Sequence, residues 1–146
     1  MAGGDSVLQQ VKLALPMKPD MEIEASKTAT AIAESVAMSP DRIDEVRMAV
    51  VEACINAFEH SHTTEREFYV TFEVLGERNN PEKLRITVRD NGIGFSPDAV
   101  TEPVLQDKLK AQRKRGWGLK IIRGLMDEVE IRSGADGTTV EMIKLL

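Results

Sequence analysis

Eleven consecutive residues, Met48-Ala49-Val50-Val51-Glu52-Ala53-Cys54-Ile55-Asn56-Ala57-Phe58, contain only two polar side chains, Glu52 and Asn56. A spacing of four puts these two one above the other on a single face of a helix. The remaining circumference is apolar, which predicts a helix buried nearly all round, a core element against which the rest of the chain must pack. A carboxylate in that setting costs free energy unless a proton, a cation or hydrogen bonds compensate it. Glu52 and Asn56 read either as a small polar site cut into a core helix or as a narrow solvated stripe.

The chain has 146 residues, which predicts one domain, 1–146, with a real core. Its 42% hydrophobic and 29% charged residues are those of an ordinary globular protein. A net charge of −5 argues against a protein whose main partner is nucleic acid. The N-terminal residues have neither a basic nor an apolar signal-peptide region. No apolar run approaches the roughly 18 residues of a membrane span. The single cysteine, Cys54, lies inside the apolar helix and reads as a core residue rather than a nucleophile, which suits a reducing cytoplasm.

Val11, Leu13 and Leu15 alternate with Lys12 and Ala14, predicting a first strand that Pro16 ends. From about Met21 to Met38 the residues Ile23, Ala29, Ile32, Ala33, Val36 and Ala37 mark an apolar helical face. Ser39-Pro40-Asp41 then reads as a helix start, with Ser39 as N-cap and Pro40 at the first helical position. Phe68, Val70, Phe72 and Val74 predict a second strand, and a polar turn cluster over Gly76 to Pro81 leads to a third, Leu84 to Asp90. Leu84, Ile86 and Val88 share one face, and the next residue in that phase is Asp90, where a core side chain is expected. Asn91-Gly92-Ile93-Gly94-Phe95 follows, and an ordinary turn after a strand is the plainer reading of that stretch.

Ser96-Pro97-Asp98 is suited to starting a short helix. The segment from about 98 to 115 becomes basic at Lys108, Lys110, Arg113, Lys114 and Arg115, and reads as a solvated loop or as a lid that offers charge to an anion. Gly116-Trp117-Gly118 precedes Leu119 to Met126, whose apolar spacing is helical. Glycines opening a helix after basic residues make a phosphate site, because free N–H groups and the helix dipole both favour negative charge there. Glu128 to Ser133 and Thr138 to Leu145, about a turn at Gly134 to Gly137, predict a C-terminal hairpin. Together these elements predict an α+β two-layer sandwich, a mainly antiparallel mixed sheet with helices on one face.

A magnesium nucleotide uses all three anomalies. Asn56 offers an amide oxygen to a hard cation. Asp90 accepts a hydrogen bond from an exocyclic amine such as that of adenine. Gly116 and Gly118, with the basic lid, receive phosphates, and Glu52 is left as a general base. The G-x-x-x-x-G-K-[ST] and βαβ G-x-G-x-x-G signatures are absent from the sequence.

Glu52-Ala-Cys-Ile-Asn56-Ala, Asp90-Asn-Gly-Ile-Gly94-Phe and Gly116-Trp-Gly-Leu-Lys-Ile-Ile resemble, in order, the three boxes of one ATPase superfamily. Its members are gyrase, heat-shock chaperones, histidine kinases and mismatch-repair proteins. Val50 to His60 and Leu125-Met126-Asp127-Glu128-Val129 look like the anti-sigma factor serine kinases, and the resemblance spans essentially the whole chain. It implies the histidine-kinase-like ATPase fold and a cytoplasmic serine/threonine protein kinase that uses ATP and Mg2+. Such kinases regulate transcription by partner switching. They phosphorylate a serine or threonine of an anti-anti-sigma protein and bind a sigma factor or another sequestered regulator, with no direct nucleic acid and no membrane involved. Similar proteins are often dimeric, so a homodimer is among the expectations.

Carried onto this sequence, the resemblance makes Glu52 the catalytic base and Asn56 the magnesium ligand. Asp90 becomes the adenine-binding residue, with Gly92 and Gly94 shaping its pocket. Lys114, Arg115, Gly116, Gly118 and Leu119 fall at the phosphates. The second glycine box departs from the pattern at the bulky Trp117, and the basic Arg113-Lys114-Arg115 leaves open which side chain meets the γ-phosphate. The alternative is a non-catalytic, nucleotide-dependent module that sequesters a partner; the presence of Glu52 favours the kinase. A histidine kinase domain fits less well, since His60 and His62 are the only histidines and no separate dimerisation helix is present. Glu59, His60 and His62 have poor ligand geometry for a metal site at a fraying helix end.

Overall fold

The computed structural model describes residues 6–60, 67–90, 118–134 and 137–146. Strand β1, Ser6–Pro16, has Val11, Leu13 and Leu15 half-buried between the exposed Lys12, Ala14 and Pro16. A register shift between Val7 and Gln9 breaks this alternation near the start of the strand. Helices α1, Met21–Ser35, and α2, Pro40–His60, follow. The start of α2 is the predicted one: the Arg42 N–H donates to Ser39 Oγ at 3.4 Å and the Ile43 N–H to the Ser39 carbonyl at 2.9 Å.

The end of α1 differs from the apolar spacing, which runs on to Met38. The Met38 N–H donates to the Ala33 carbonyl at 3.1 Å and the Ala37 N–H to the Glu34 carbonyl at 3.0 Å, the two bonds of a Schellman closure. Ala37 takes the left-handed conformation, φ 58°, that this closure demands. Glycine or asparagine is usual there, so an alanine left no mark in the sequence.

Strands β2, Glu67–Glu77, and β3, Asn80–Asp90, form a hairpin whose central residues Arg78 and Asn79 have φ 54° and 61°. Positive φ at both positions is the turn whose twist matches that of paired strands. The expected turn cluster thus narrows to two residues. Gly76 sits at a register shift beside it, where any side chain would collide with the Asn80 carbonyl oxygen. Helix α3 covers 118–125 among the described residues, and the hairpin of β4, Glu128–Gly134, and β5, Gly137–Leu145, completes the fold.

The sheet order is β1-β2-β3-β5-β4, and every pairing is antiparallel. The expected mixed sheet is corrected on this point. Strands β3 and β4 do run in the same direction, as a crossover through α3 requires, but β5 lies between them and pairs with both.

One face of the sheet carries a grid of buried side chains. Its rows are Phe68–Asp90–Thr138, Val70–Val88–Val140, Phe72–Ile86–Met142 and Val74–Leu84–Lys144 across β2, β3 and β5. The two middle rows are wholly apolar, while the end rows carry Asp90 and Thr138 at one end and Lys144 at the other. Helix α1 covers β1 and β2, and α2 covers β3 and β5. Buried Ala25, Ala29 and Ala33 on α1, with Ala49, Ala53 and Ala57 on α2, are small enough to let the helices approach the core closely. Ile122 and Met126 enter the same core from α3 and the residues after it. Phe58 meets Phe68 edge to face, with ring centroids 5.2 Å apart. The opposite face of the sheet is more open, with an Arg85–Glu73 ion pair at 2.9 Å. Among the described residues, no helix is long and apolar enough to cross a membrane.

Helix α2 is not buried as fully as its composition predicts. Met48 is 51% exposed, because it lies on the side turned away from both α1 and the sheet, between the buried Val46 and Ala49.

Candidate functional site

Val46, Ala49, Val50, Ala53, Cys54 and Ala57 bury the inner face of α2. That packing fixes where Glu52 and Asn56 point. Glu52 is half-buried and Asn56 only 6% exposed, so neither side chain stands fully in solvent. Among the described residues, the Asn56 amide oxygen, Oδ1, is buried without a hydrogen-bond partner. Leaving such a group unpaired costs about 1–3 kcal/mol, so this oxygen suits a ligand that arrives from outside the chain. Between the two lies Cys54, fully buried, as expected of a core residue. Burial, and after it the negative charge of Glu22, pushes its thiol up to about 12.

Gly118 opens the described part of α3 and stands against Glu52. A Cβ at this position would lie 3.2 Å from Glu52 Oε2, closer than side-chain carbons ordinarily approach an oxygen. Gly118 and Glu52 are therefore in contact, although they lie 66 positions apart in the chain. Leu119, next in α3, is half-buried against the core, so its side chain anchors the helix.

Asp90 ends β3 and is 2% exposed, in the core phase that alternation predicts. Its ladder neighbours are Phe68 and Thr138. The Phe58–Phe68 contact brings the C-terminal half of α2 over this end of the sheet, so Asp90 lies at the same end as Asn56. Thr138 was not singled out by the sequence. It is 5% exposed, directly beside Asp90, with its hydroxyl 3.0 Å from that of Ser133. The signal was its phase with Val140 and Met142, hidden because threonine is at home in any strand.

The structure thus brings Glu52, Asn56 and Gly118 together and puts Asp90 at the same end of the sheet. Gly92, Gly94, the lid at about 98–115, Lys114, Arg115, Gly116 and the helix expected from Ser96 lie outside the described residues. So does His62. Among the described residues no three His, Cys, Asp or Glu side chains converge as a metal cage. A lone buried amide oxygen fits Mg2+, which takes one or two protein oxygens and fills its shell with phosphate oxygens and water.

The sequence pattern of the histidine kinase-like ATPase domain matches residues 15–144. The chain is 28% identical to the serine-protein kinase RsbW of Halalkalibacterium halodurans over 142 residues, covering 94% of this chain and 84% of that protein. It is 32% identical to the anti-sigma F factor of Bacillus thuringiensis over 124 residues, 84% of this chain and 82% of that one. Among solved structures, the RsbU and RsbW domains of Rv1364c from Mycobacterium tuberculosis share the fold, with a TM-score of 0.68 at 19% identity. That match covers 94% of this chain but only 32% of the longer protein. The chain belongs to the histidine kinase-like ATPase domain family, on the branch of the anti-sigma factor serine kinases.

Proposed function

We propose that residues 1–146 form a single ATP-binding kinase domain that phosphorylates a serine or threonine hydroxyl of an anti-anti-sigma protein and sequesters a sigma factor or another regulator by partner switching. One observation carries this reading: the half-buried Glu52 carboxylate stands against Gly118, with the partnerless Asn56 Oδ1 one helical turn away. The names of the relatives, a serine-protein kinase and an anti-sigma F factor, support it. The cytoplasm is the compartment proposed, and a second copy of the chain is the further partner.

Glu52 is the general base. Its carboxylate accepts the proton of the acceptor hydroxyl as that oxygen bonds to the γ-phosphorus of ATP and the bond from that phosphorus to the β–γ bridging oxygen breaks, releasing ADP. Gly118 against Oε2 restricts where this carboxylate can swing, and the absence of a Cβ leaves room for phosphate beside it. Asn56 Oδ1 holds Mg2+. Asp90 accepts a hydrogen bond from the exocyclic amine of adenine, and the Thr138 hydroxyl beside it is a second polar contact. Gly92 and Gly94 shape that pocket, while Lys114, Arg115, Gly116, Gly118 and Leu119 surround the phosphates. Magnesium, when bound, neutralises phosphate charge.

Calorimetry with ATP and GTP, each with magnesium and with excess chelator, tests the reading first. Tight, magnesium-dependent, adenine-selective binding is expected. In Glu52→Gln, nucleotide binding should persist while phosphotransfer falls by roughly 10²-fold or more. Loss of both binding and fold would make Glu52 structural. Selective binding by the wild type with no transfer to a serine- or threonine-bearing partner would leave a nucleotide-dependent sequestering module.

A further inference from the structure

Lys144 is the one lysine buried in the grid beneath the helices, at 5% exposure, and the proposed chemistry makes no use of it. Its Nζ donates to Glu45 Oε2 on α2 at 2.8 Å and to the carbonyl of Leu125, the last residue of α3. That carbonyl is among the last four of the helix, which have no intrahelical donor. A cation is also the favoured charge at this end of a helix. The surroundings extend the tie. The Asp127 N–H donates to the Ile143 carbonyl at 2.9 Å, the Leu145 N–H to Asp127 Oδ2 at 2.7 Å, and Arg42 Nη1 to the Leu145 carbonyl. The end of β5 is thus held between the start of α2 and the end of α3.

The two ends of α3 are fixed against the same helix. Gly118 meets Glu52 at one end, and Leu125 is joined through Lys144 to Glu45 at the other. From 118 to 125 and from 45 to 52 are equal spans of seven residues, about 10.5 Å of helix each. Seven residues is two turns, so Glu45 and Glu52 lie on nearly the same face of α2. Helix α3 therefore runs antiparallel to α2 and is pinned at both ends. A part-buried ion pair is weak evidence for stability, since an apolar pair of similar volume often serves as well, but such a pair can fix register. Here the register is that of Gly118 against the Glu52 carboxylate.

We infer that Lys144, together with Glu45, is a positioning residue for the phosphate end of the site: it holds the far end of α3 so that Gly118 stays seated against Glu52. The consequence for nucleotide binding rests on the kinase reading; the tie itself does not.

The test uses Lys144→Met, Lys144→Arg and Glu45→Ala, with two readouts. Amide hydrogen exchange over 118–125 should quicken about tenfold or more in Lys144→Met, while β2 and β3 keep their protection. ATP affinity should fall about tenfold with adenosine affinity held within about twofold, since the Asp90 end is untouched. Lys144→Arg, which keeps a charged donor, should recover most of both. Glu45→Ala, at a part-exposed partner, should show the same pattern at about a third of the size, and it carries the test if Lys144→Met does not fold. Unchanged exchange over 118–125 in a folded variant would overturn the inference. So would equal losses of ATP and adenosine affinity, the mark of a general structural defect. If wild-type protein bound neither ligand, the kinase reading would fail, and the exchange comparison alone would decide the tie.

Discussion

Asn56 illustrates how a single side chain can be costly to the fold and necessary to the site. Its buried Oδ1 gains nothing from the protein around it. Asn56→Ala should therefore leave the thermal midpoint within about 4 °C of wild type, while ATP binding loses its dependence on magnesium. A retained dependence, read by calorimetry with and without chelator, would move the metal ligand elsewhere. Cys54 offers a second residue-scale measurement. The folded state holds the thiol proton up to about 12, while an unfolded chain releases it near the ordinary thiol value of 9.0. Between these values the unfolded state binds fewer protons, so stability falls as pH rises above about 9, by roughly 1 kcal/mol per unit. Urea unfolding at pH 8 and pH 10 should show a smaller loss in Cys54→Ala than in wild type. Alkylation of the native thiol should also be slow.

At the scale of elements, Ala37 marks a correctable strain. A non-glycine residue in the left-handed region costs about 1–2 kcal/mol, and the Schellman closure of α1 puts Ala37 there. Ala37→Gly should raise unfolding free energy by about 1 kcal/mol in urea titrations, because relief of that strain exceeds the extra chain entropy of glycine. The same helix end shows where sequence reading runs out. The start of α2 was legible because Ser39, Pro40 and Asp41 act locally, each through its own backbone neighbours. The end of α1 was not, because long-range packing imposes a conformation that alanine does not advertise. Asp90 was legible as a polar residue in a core phase. Thr138 occupies the next place in the same row, yet nothing in its own residue type announces it. The contact between Gly118 and Glu52 was implied only by resemblance, since it depends on how α3 lies along α2. Nothing in the residue type of Lys144 announces its burial, which becomes visible only with α2 and α3 in place.

Across the whole molecule, stability is concentrated in the apolar rows of the grid. Ile86 stands at 0% exposure between Phe72 and Met142 and under the helices. Ile86→Ala should cost roughly 2–5 kcal/mol, a large part of the 5–15 kcal/mol typical of a domain, and should lower the urea midpoint without changing the slope. Thr87→Ala, on the opposite face, should cost far less. The strand order also has a consequence for the chain as it is made. Strands β1, β2 and β3 and both long helices precede residue 91, and their pairings with one another are complete without anything that follows. The free edge of β3 is covered by β5, which follows β4 in the chain. Until β5 is made, a nascent chain displays the unpaired edge from Lys83 to Asp90, which carries Leu84, Ile86 and Val88. Between synthesis of residue 90 and of residue 145, a nascent chain thus exposes an edge that a chaperone would shield.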